Sequence, residues 1–409
     1  MAGRTRSIRL ILLLSMLVSV ECCDSSAERG EQPAYVIRDS ADVTIVENRR
    51  PSWSADAVWR IAPDPSHRIG RRQGRPEEEF AGVAAAVPLA DGGIAVADEG
   101  SGQIRFFDNL GNFVRSVGSR GNGPGEFTML ADAGSTPDGT VWVYDFALRR
   151  VSWIAPSDGR LASLTLGPEP PVLAATGALP GRSFVLRQLW GAARTAGATR
   201  EGIRRDPVAV VRFDSTGRLR DTIAAPPGRE VVIRVEDGRG VMTRRPFGAD
   251  LVTAIRDGRI VMGRQDVPVL EEFTVDGTLR RRIVLPERGD RRLQSAEIEA
   301  YMARQLVDVS AERQPSVRSE LASLPYPEEM PAYGRLVPGA GDYLWVSQWT
   351  PADVPARRWS IIDPRGVWLG DIELPAGFRL LAVADDRIVG VERDDLDTET
   401  VVVYPLDKA

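Results

Sequence analysis

The chain has 409 residues, 43% of them apolar, a formal net charge of −5 and a mean hydropathy of −0.18. This is enough apolar material for a sizeable core, and the acidic balance argues against a nucleic-acid partner, whose phosphates call for clustered positive charge. Histidine and lysine each occur once, as His67 and Lys408, which excludes a three-histidine zinc site, an H-E-x-x-H motif, a P-loop lysine and Schiff-base chemistry inside the fold.

Residues 1–27 read as an export signal. Arg4, Arg6 and Arg9 precede an apolar run over 10–20 that is too short to span a bilayer. Both cysteines, Cys22 and Cys23, follow that run directly. The pattern resembles a bacterial lipoprotein signal, in which such a thiol carries the lipid, although a small residue would be expected before the cysteine. Ordinary cleavage after Ala27 in "SSA" is the rival reading and would discard both thiols. On either reading the mature body has no disulfide framework, so its core must hold without covalent staples. Residues 28–56 form an N-terminal tail that contains one extra strand, "VTIVEN" (43–48), expected to pack alongside the closing strand described below.

From 57 to 409 the chain reads as repeats. "IGRRQGRPEEEF" (69–80) and "SVGSRGNGPGEF" (116–127) share Gly, Arg, Gly, Pro, Glu and Phe in the same order. A phosphate loop should occur once, between a strand and a helix; this stretch recurs, lacks lysine and precedes a strand pattern, so it reads as a connection between structural units. His67, in "PDPSHRIG", reads as a solvated turn residue and is the only histidine a Ser-His-Asp triad could use. A turn followed by an alternating strand appears six times, at 91–98, 138–145, 180–187, 257–264, 341–348 and 385–392. A second hairpin signal with an Asx or Pro turn closing on Gly follows most of them, as in "FFDNLGNF" (106–113), "RFDSTGRL" (212–219) and "IIDPRGVW" (361–368). Each unit therefore reads as four antiparallel strands, A to D from the inside outward, and six such units make an all-β, six-bladed β-propeller. The sixth unit ends after three strands, and "AVWRIAP" (57–63) is expected to supply its strand D, which closes the ring and leaves no open edge.

The segment "IRFFDNLGNFVRSVGSRGNGPGEF" resembles the NHL repeat, and the chain is similar to NHL-like six-bladed propellers of bacterial envelopes, most clearly over 60–160. The resemblance implies a fold and a location outside the cytoplasm, periplasmic or in the cell envelope. It leaves activity open, because such propellers include binding scaffolds, lyases and lactone hydrolases. It also implies that Glu126 and Phe127 anchor the start of an inner strand.

Loops joining B to C and D to the next A share one end of a propeller. Four long insertions fall there: "WGAARTAGATREGIRRDP" (190–207), an arginine-rich connection at about 225–246, the longest insert at about 286–332, and "WTPADVPARR" (349–358). The longest insert should contain a helix capped by Ser295, with Ile298, Tyr301, Met302, Leu306 and Val309 on one stripe, and a second short helix in "SVRSELASL". Polar residues near the inner strands, Asp132, Asp250, Arg335 and Arg379, are candidate ligand contacts in the channel; their bland reading is hydrogen bonding between blades. Trp190 and Trp349 open loops on the long-loop end and are the aromatic binding candidates, whereas Trp142 and Trp345 read as packing between blades. Arg194, Arg204, Arg205, Arg244 and Arg245 could favour an anion or simply pair with Glu201, Asp206, Glu236 and Asp237.

The sequence thus points to a non-catalytic, monomeric binding module with a protein, peptide or glycan partner at the long-loop face. Its only membrane contact would be a lipid on Cys22 or Cys23. No cofactor is expected, with calcium left open. The alternative is a metal-dependent lactone hydrolase or lyase with its site in the central channel. Only four asparagines occur, Asn48, Asn109, Asn112 and Asn122, and none falls in an expected inner strand, which weakens a channel metal site of the gluconolactonase type.

Overall fold

The computed structural model describes residues 33–54, 57–70, 75–190, 201–236 and 239–408. The export signal, Cys22, Cys23 and Arg194 lie outside them.

Strand B of each unit is an almost unbroken apolar run. Ile94–Asp98 and Val141–Asp145 are buried along their whole length, as strands sandwiched between two layers must be. The outer strand alternates instead: Phe113–Val117 exposes every second residue, the pattern of a half-solvated edge. The hairpins between C and D close through the same chemistry in three blades. Asp108 Oδ1 accepts from the backbone N–H of Leu110 and Asn112, Asp214 from Thr216, and Asp363 from Arg365 and Val367, all at 2.8–2.9 Å. These Asx turns leave the following glycine at positive φ, as at Gly111 (81°).

Four four-stranded antiparallel sheets, one sheet widened to six strands and one closed by both ends of the ring form the six blades. Their inner strands are Val83–Pro88, Leu130–Ser135, Leu173–Leu179, Val252–Arg256, Leu336–Pro338 and Arg379–Val383. Each inner strand touches the next in chain order, and the sixth touches the first. The fold is an all-β, six-bladed propeller. Its core lies between blades: Ala85 and Ile104 of blade one pack with Leu130 and Val141 of blade two, and Trp345 of blade five packs with Phe378 and Tyr404 of blade six. Trp142 reaches the next blade edge-on to Phe184 at 5.0 Å.

The glycine-rich stretch is a connection between blades. Phe127 is buried, and Gly118 sits at φ 90° where a Cβ would lie 2.5 Å from the Phe127 ring. Glu126 takes a hydrogen bond from Gly123 N–H at 2.7 Å, and Ser119–Arg120 pairs in parallel with Glu126–Phe127. The chain wraps around its own acid and aromatic before entering strand A.

Closure occurs with one refinement. The last strand, Glu399–Asp407, pairs antiparallel with Arg60–Ile61 and again with His67–Ile69. Strand D of blade six is therefore two short pieces. Pro63 and Pro65 lie between them and have no N–H to give a ladder. His67 is thus a half-buried strand residue facing Val403, where a solvated turn was expected. Burial first, then Arg387, holds its pKa below the ordinary histidine value.

The strand at 43–48 does not join the closing strand. Val43–Asn48 pairs in parallel with Leu279–Val284, the outer strand of blade four, and carries Tyr35–Ser40 outside it. Asn48 fixes this position: its amide donates to Val284 O and Gly366 O, and its carbonyl accepts from Trp368 N–H at 2.8 Å. Blade four has six strands.

Candidate binding face

The insertions of blades three, four and five build a cap at one end. Gly202–Arg204, from the B–C loop of blade three, pairs with Val231–Glu236 of the connection that follows the same blade, and that strand pairs with Arg239–Arg244. The insert after blade four forms helix α1 (Ser295–Gln305) and helix α2 (Gln314–Ala322). The residue capping α1 is Gln294, one position before the expected Ser295: Glu297 returns its carboxylate to the Gln294 N–H at 3.0 Å, which selects the earlier residue. On α1, Met302 is buried and Ile298 and Tyr301 are half-buried; Leu306, just past the helix, is buried and Val309 half-buried.

Phe247, from the connection between blades three and four, holds the cap together. Its ring lies 5.5 Å from Tyr301 of α1, 6.0 Å from Tyr326 beyond α2 and 5.4 Å from Trp349 of the blade-five loop. Charged contacts reinforce it: Arg234 with Glu320 at 3.1 Å, Arg304 with Asp353 at 2.7 Å, and Arg245 Nε donating to Pro325 O at 2.7 Å. An open groove of about 650 Å³ runs over the small sheet, lined by Glu201, Ile203, Val232, Arg234, Val235 and Pro325 among others.

Beneath the cap, Asp132, Asp250, Arg335 and Arg379 all sit at the leading end of an inner strand or just before it. Arg335 Nη1 donates to Leu380 O at 3.1 Å, and Arg379 Nη2 to Val83 O at 3.0 Å. Both thus tie one inner strand to the next, and Arg379 also faces Glu399 at 3.5 Å. Asp132 accepts from Ala133 N–H at 2.9 Å. Burial drives its pKa up to about 6, opposed by that hydrogen bond and by Arg335 across the ring. Asp250 accepts from Arg229 Nε at 2.7 Å and from Leu251 N–H at 2.8 Å. Acceptors at the ends of strands B hold the strand entrances open: Asp98 for Ala81, Asp145 for Thr128, Gln265 for Asp250 and Ser347 for Arg335.

Trp190 packs under the Arg229 guanidinium at 5.3 Å, and Trp349 belongs to the Phe247 cluster. Arg204 pairs with Asp206, Arg205 with Asp266 and Arg245 with Glu230. Arg229, which carries no spacing signal in the sequence, pairs with Asp250 at the mouth of the channel. Burial first lowers the Arg187 pKa, with Asp250 opposing and Arg229 and Arg244 adding to the effect. Among the described residues no three His, Cys, Asp or Glu side chains gather to hold a metal ion, and no helix is long and apolar enough to cross a membrane.

A family model described as a 6-bladed beta-propeller matches residues 79–151. No curated protein matches the chain. Among solved structures the chain is similar to a protein from Bacteroides fragilis described as exported, at 12% identity over 88% of this chain and 98% of that one, with a TM-score of 0.48. It is similar to a Bacteroides vulgatus protein at 11% identity over 86% and 99%, with a TM-score of 0.47. Virginiamycin B lyase from Staphylococcus aureus aligns at 9% identity over 85% and 99%, with a TM-score of 0.41. The blade count rests on the sheet pairing itself.

Proposed function

We propose that this chain is an exported, non-catalytic binding module of the bacterial cell envelope that takes its ligand on the capped end of the propeller. One observation carries the reading. Insertions from blades three, four and five converge on a single end and lock to one another through Phe247. Blades one and two close their sheets with short connections, so completing a blade does not call for such insertions. Long loops gathered on one face of a rigid scaffold are where such scaffolds carry recognition. The groove over the small sheet and the aromatic cluster offer apolar contact area, and the arginines beneath offer charge.

Export is supported by the basic and apolar start of the chain, with lipid attachment at Cys22 or Cys23 as the means of tethering. The partner we favour is a protein, peptide or glycan of the envelope.

Screening the purified mature protein on glycan and peptide arrays tests this reading. Binding should fall in Trp349→Ala and Tyr301→Ala, and persist in Leu110→Ser, which changes an exposed residue on the opposite end. Hits that ignore the first two variants and vanish in the third would move the binding surface away from the cap.

A further inference from the structure

We infer that the capped end binds an extended, acidic peptide segment, which adds a strand to the open edge of the small sheet at Arg239–Arg244. This rests on the capped end being the binding face, and it assigns the chemistry that face recognises.

Main-chain direction carries the argument. The small sheet runs in the order Gly202–Arg204, Val231–Glu236, Arg239–Arg244, so the last strand is an edge. In an antiparallel pair, residues opposite each other turn their main-chain groups either toward one another or both away, in alternation. Val235 lies opposite Gly240 and turns away from it, giving its N–H to Glu201 at 2.9 Å. Gly240 therefore turns its own N–H and C=O outward, and the alternation adds Met242 and Arg244. Arg245, the next residue, turns back and donates to Glu230 O at 3.1 Å, as the same alternation requires. Three N–H and three C=O groups thus stand along this edge with no partner strand among the described residues.

The edge is open, regular and held from behind. Gly240, Val241, Thr243 and Arg244 are exposed, Val241 to 39%. Met242 packs with Trp190 against the buried Val231 and Ile233, which fixes the strand on the propeller. Its pairing runs over six positions without a register shift, whereas the outer pairs of blades one, three and five each carry one. Neither bulge nor proline interrupts it, and those are the usual guards of an edge. What guards it is charge of one sign: the strand has two arginines and no acid. Arg244 makes no ion pair with another described residue, while Arg204, Arg205, Arg234 and Arg245 around it all do. A ladder of main-chain donors and acceptors at every second residue is matched by another extended chain. A second copy of this strand would set arginines against arginines, which is unfavourable across a strand pair; an acidic segment is attracted.

The test is fluorescence anisotropy of the mature protein with labelled decapeptides that alternate valine with glutamate or with lysine, followed by amide exchange of the complex. The glutamate peptide should bind saturably and about tenfold or more tighter than the lysine peptide. The same glutamate peptide N-methylated at every residue should not bind, because it has no N–H to give. On binding, exchange should slow at the Gly240, Met242 and Arg244 amides. Gly240→Pro removes one outward donor and should weaken binding about fivefold, the scale of one main-chain hydrogen bond; Leu110→Ser should leave it unchanged. The proposal is overturned if the glutamate peptide does not saturate, if the lysine or N-methylated peptide binds as tightly, or if the three amides exchange as in the free protein, a readout that needs no variant to fold. Two failures can be told apart. Array hits lost in Trp349→Ala, with no protection of those amides, remove strand addition alone. Protection of those amides by the glutamate peptide, with array hits that ignore Trp349→Ala and vanish in Leu110→Ser, removes the wider capped-face reading.

Discussion

Neighbouring acids on one strand of blade four show how differently the same side chain can matter. Glu272 is 1% exposed and faces Arg256, Arg281 at 3.0 Å and Arg259 at 3.7 Å, and Arg256 also donates to Asp363 O of the next blade. Glu271, one residue earlier, pairs with Arg282 at the surface. Removing Glu272 leaves Arg256 buried without its counter-charge, so Glu272→Ala should cost about 3–5 kcal/mol in urea unfolding at pH 7. Glu271→Ala should cost about 0–1 kcal/mol, because solvent screens its pair. Asp132 gives a pH signature of the opposite kind. Its folded pKa is raised from 3.8 to about 6 by burial, so the unfolded chain loses this proton first as pH rises. Stability contributed at this position is therefore intact below 3.8, declines between 3.8 and about 6, and stays lowered above that. Asp132→Asn should flatten that segment of the stability profile; an unchanged slope between pH 4 and 6 would show that Asp132 is not desolvated.

At the scale of elements, what the sequence reveals depends on how local the determining contacts are. Strands B were legible because "VWVYD" and "IAVAD" are apolar on both faces, and the C–D hairpins because aspartate and glycine fix those turns from within four residues. Helix α1 was legible from its stripe, while its cap lies one residue earlier than expected because Glu297 stands at the third helical position only when Gln294 is the cap. Strand D of blade six was placed but not its break, which follows from Pro63 and Pro65 opposing a nine-residue partner. Two element-scale predictions follow from the same contacts. Gly118→Ala puts a side chain at positive φ and into the Phe127 ring, and should cost about 1–3 kcal/mol by strain alone, read as a lowered urea midpoint. Phe247→Ala removes the ring shared by Tyr301, Tyr326 and Trp349. Amide exchange should then quicken in α1 and α2 and stay slow in the inner strands, because the cap is built on the ring and does not close it.

For the whole molecule the decisive contacts join residues more than two hundred positions apart, and these were unevenly legible. Counting strands was enough to expect the N-terminal segment on the last blade, since a three-stranded unit leaves an edge. Nothing comparable marked "VTIVEN" for blade four: Asn48 reaches Val284 and Gly366, partners that no periodicity connects to it. The pair of Arg229 and Asp250 was illegible for the same reason, since it meets only where two blades stack. The two N-terminal attachments differ in consequence. Residues 34–48 widen a blade that already has four strands, whereas residues 59–69 complete the blade that touches blade one. In that closure Trp59 and Ile69 are buried, Glu399 accepts from Val83 N–H, and Arg379 and Arg387 donate to Val83 O and Leu89 O of blade one. Burying each of those two apolar side chains contributes about 1.5–3 kcal/mol, and the closure also pairs the outer side of Glu399–Asp407. A mature protein truncated before residue 51 should therefore unfold in one cooperative transition at a modestly lower urea midpoint. One truncated before residue 71 should lose cooperativity and self-associate through the freed Glu399–Asp407 edge. If both truncations unfolded alike, the ring would be held by its inner strands alone, and the paired ends of the chain would be ornament on a closed structure.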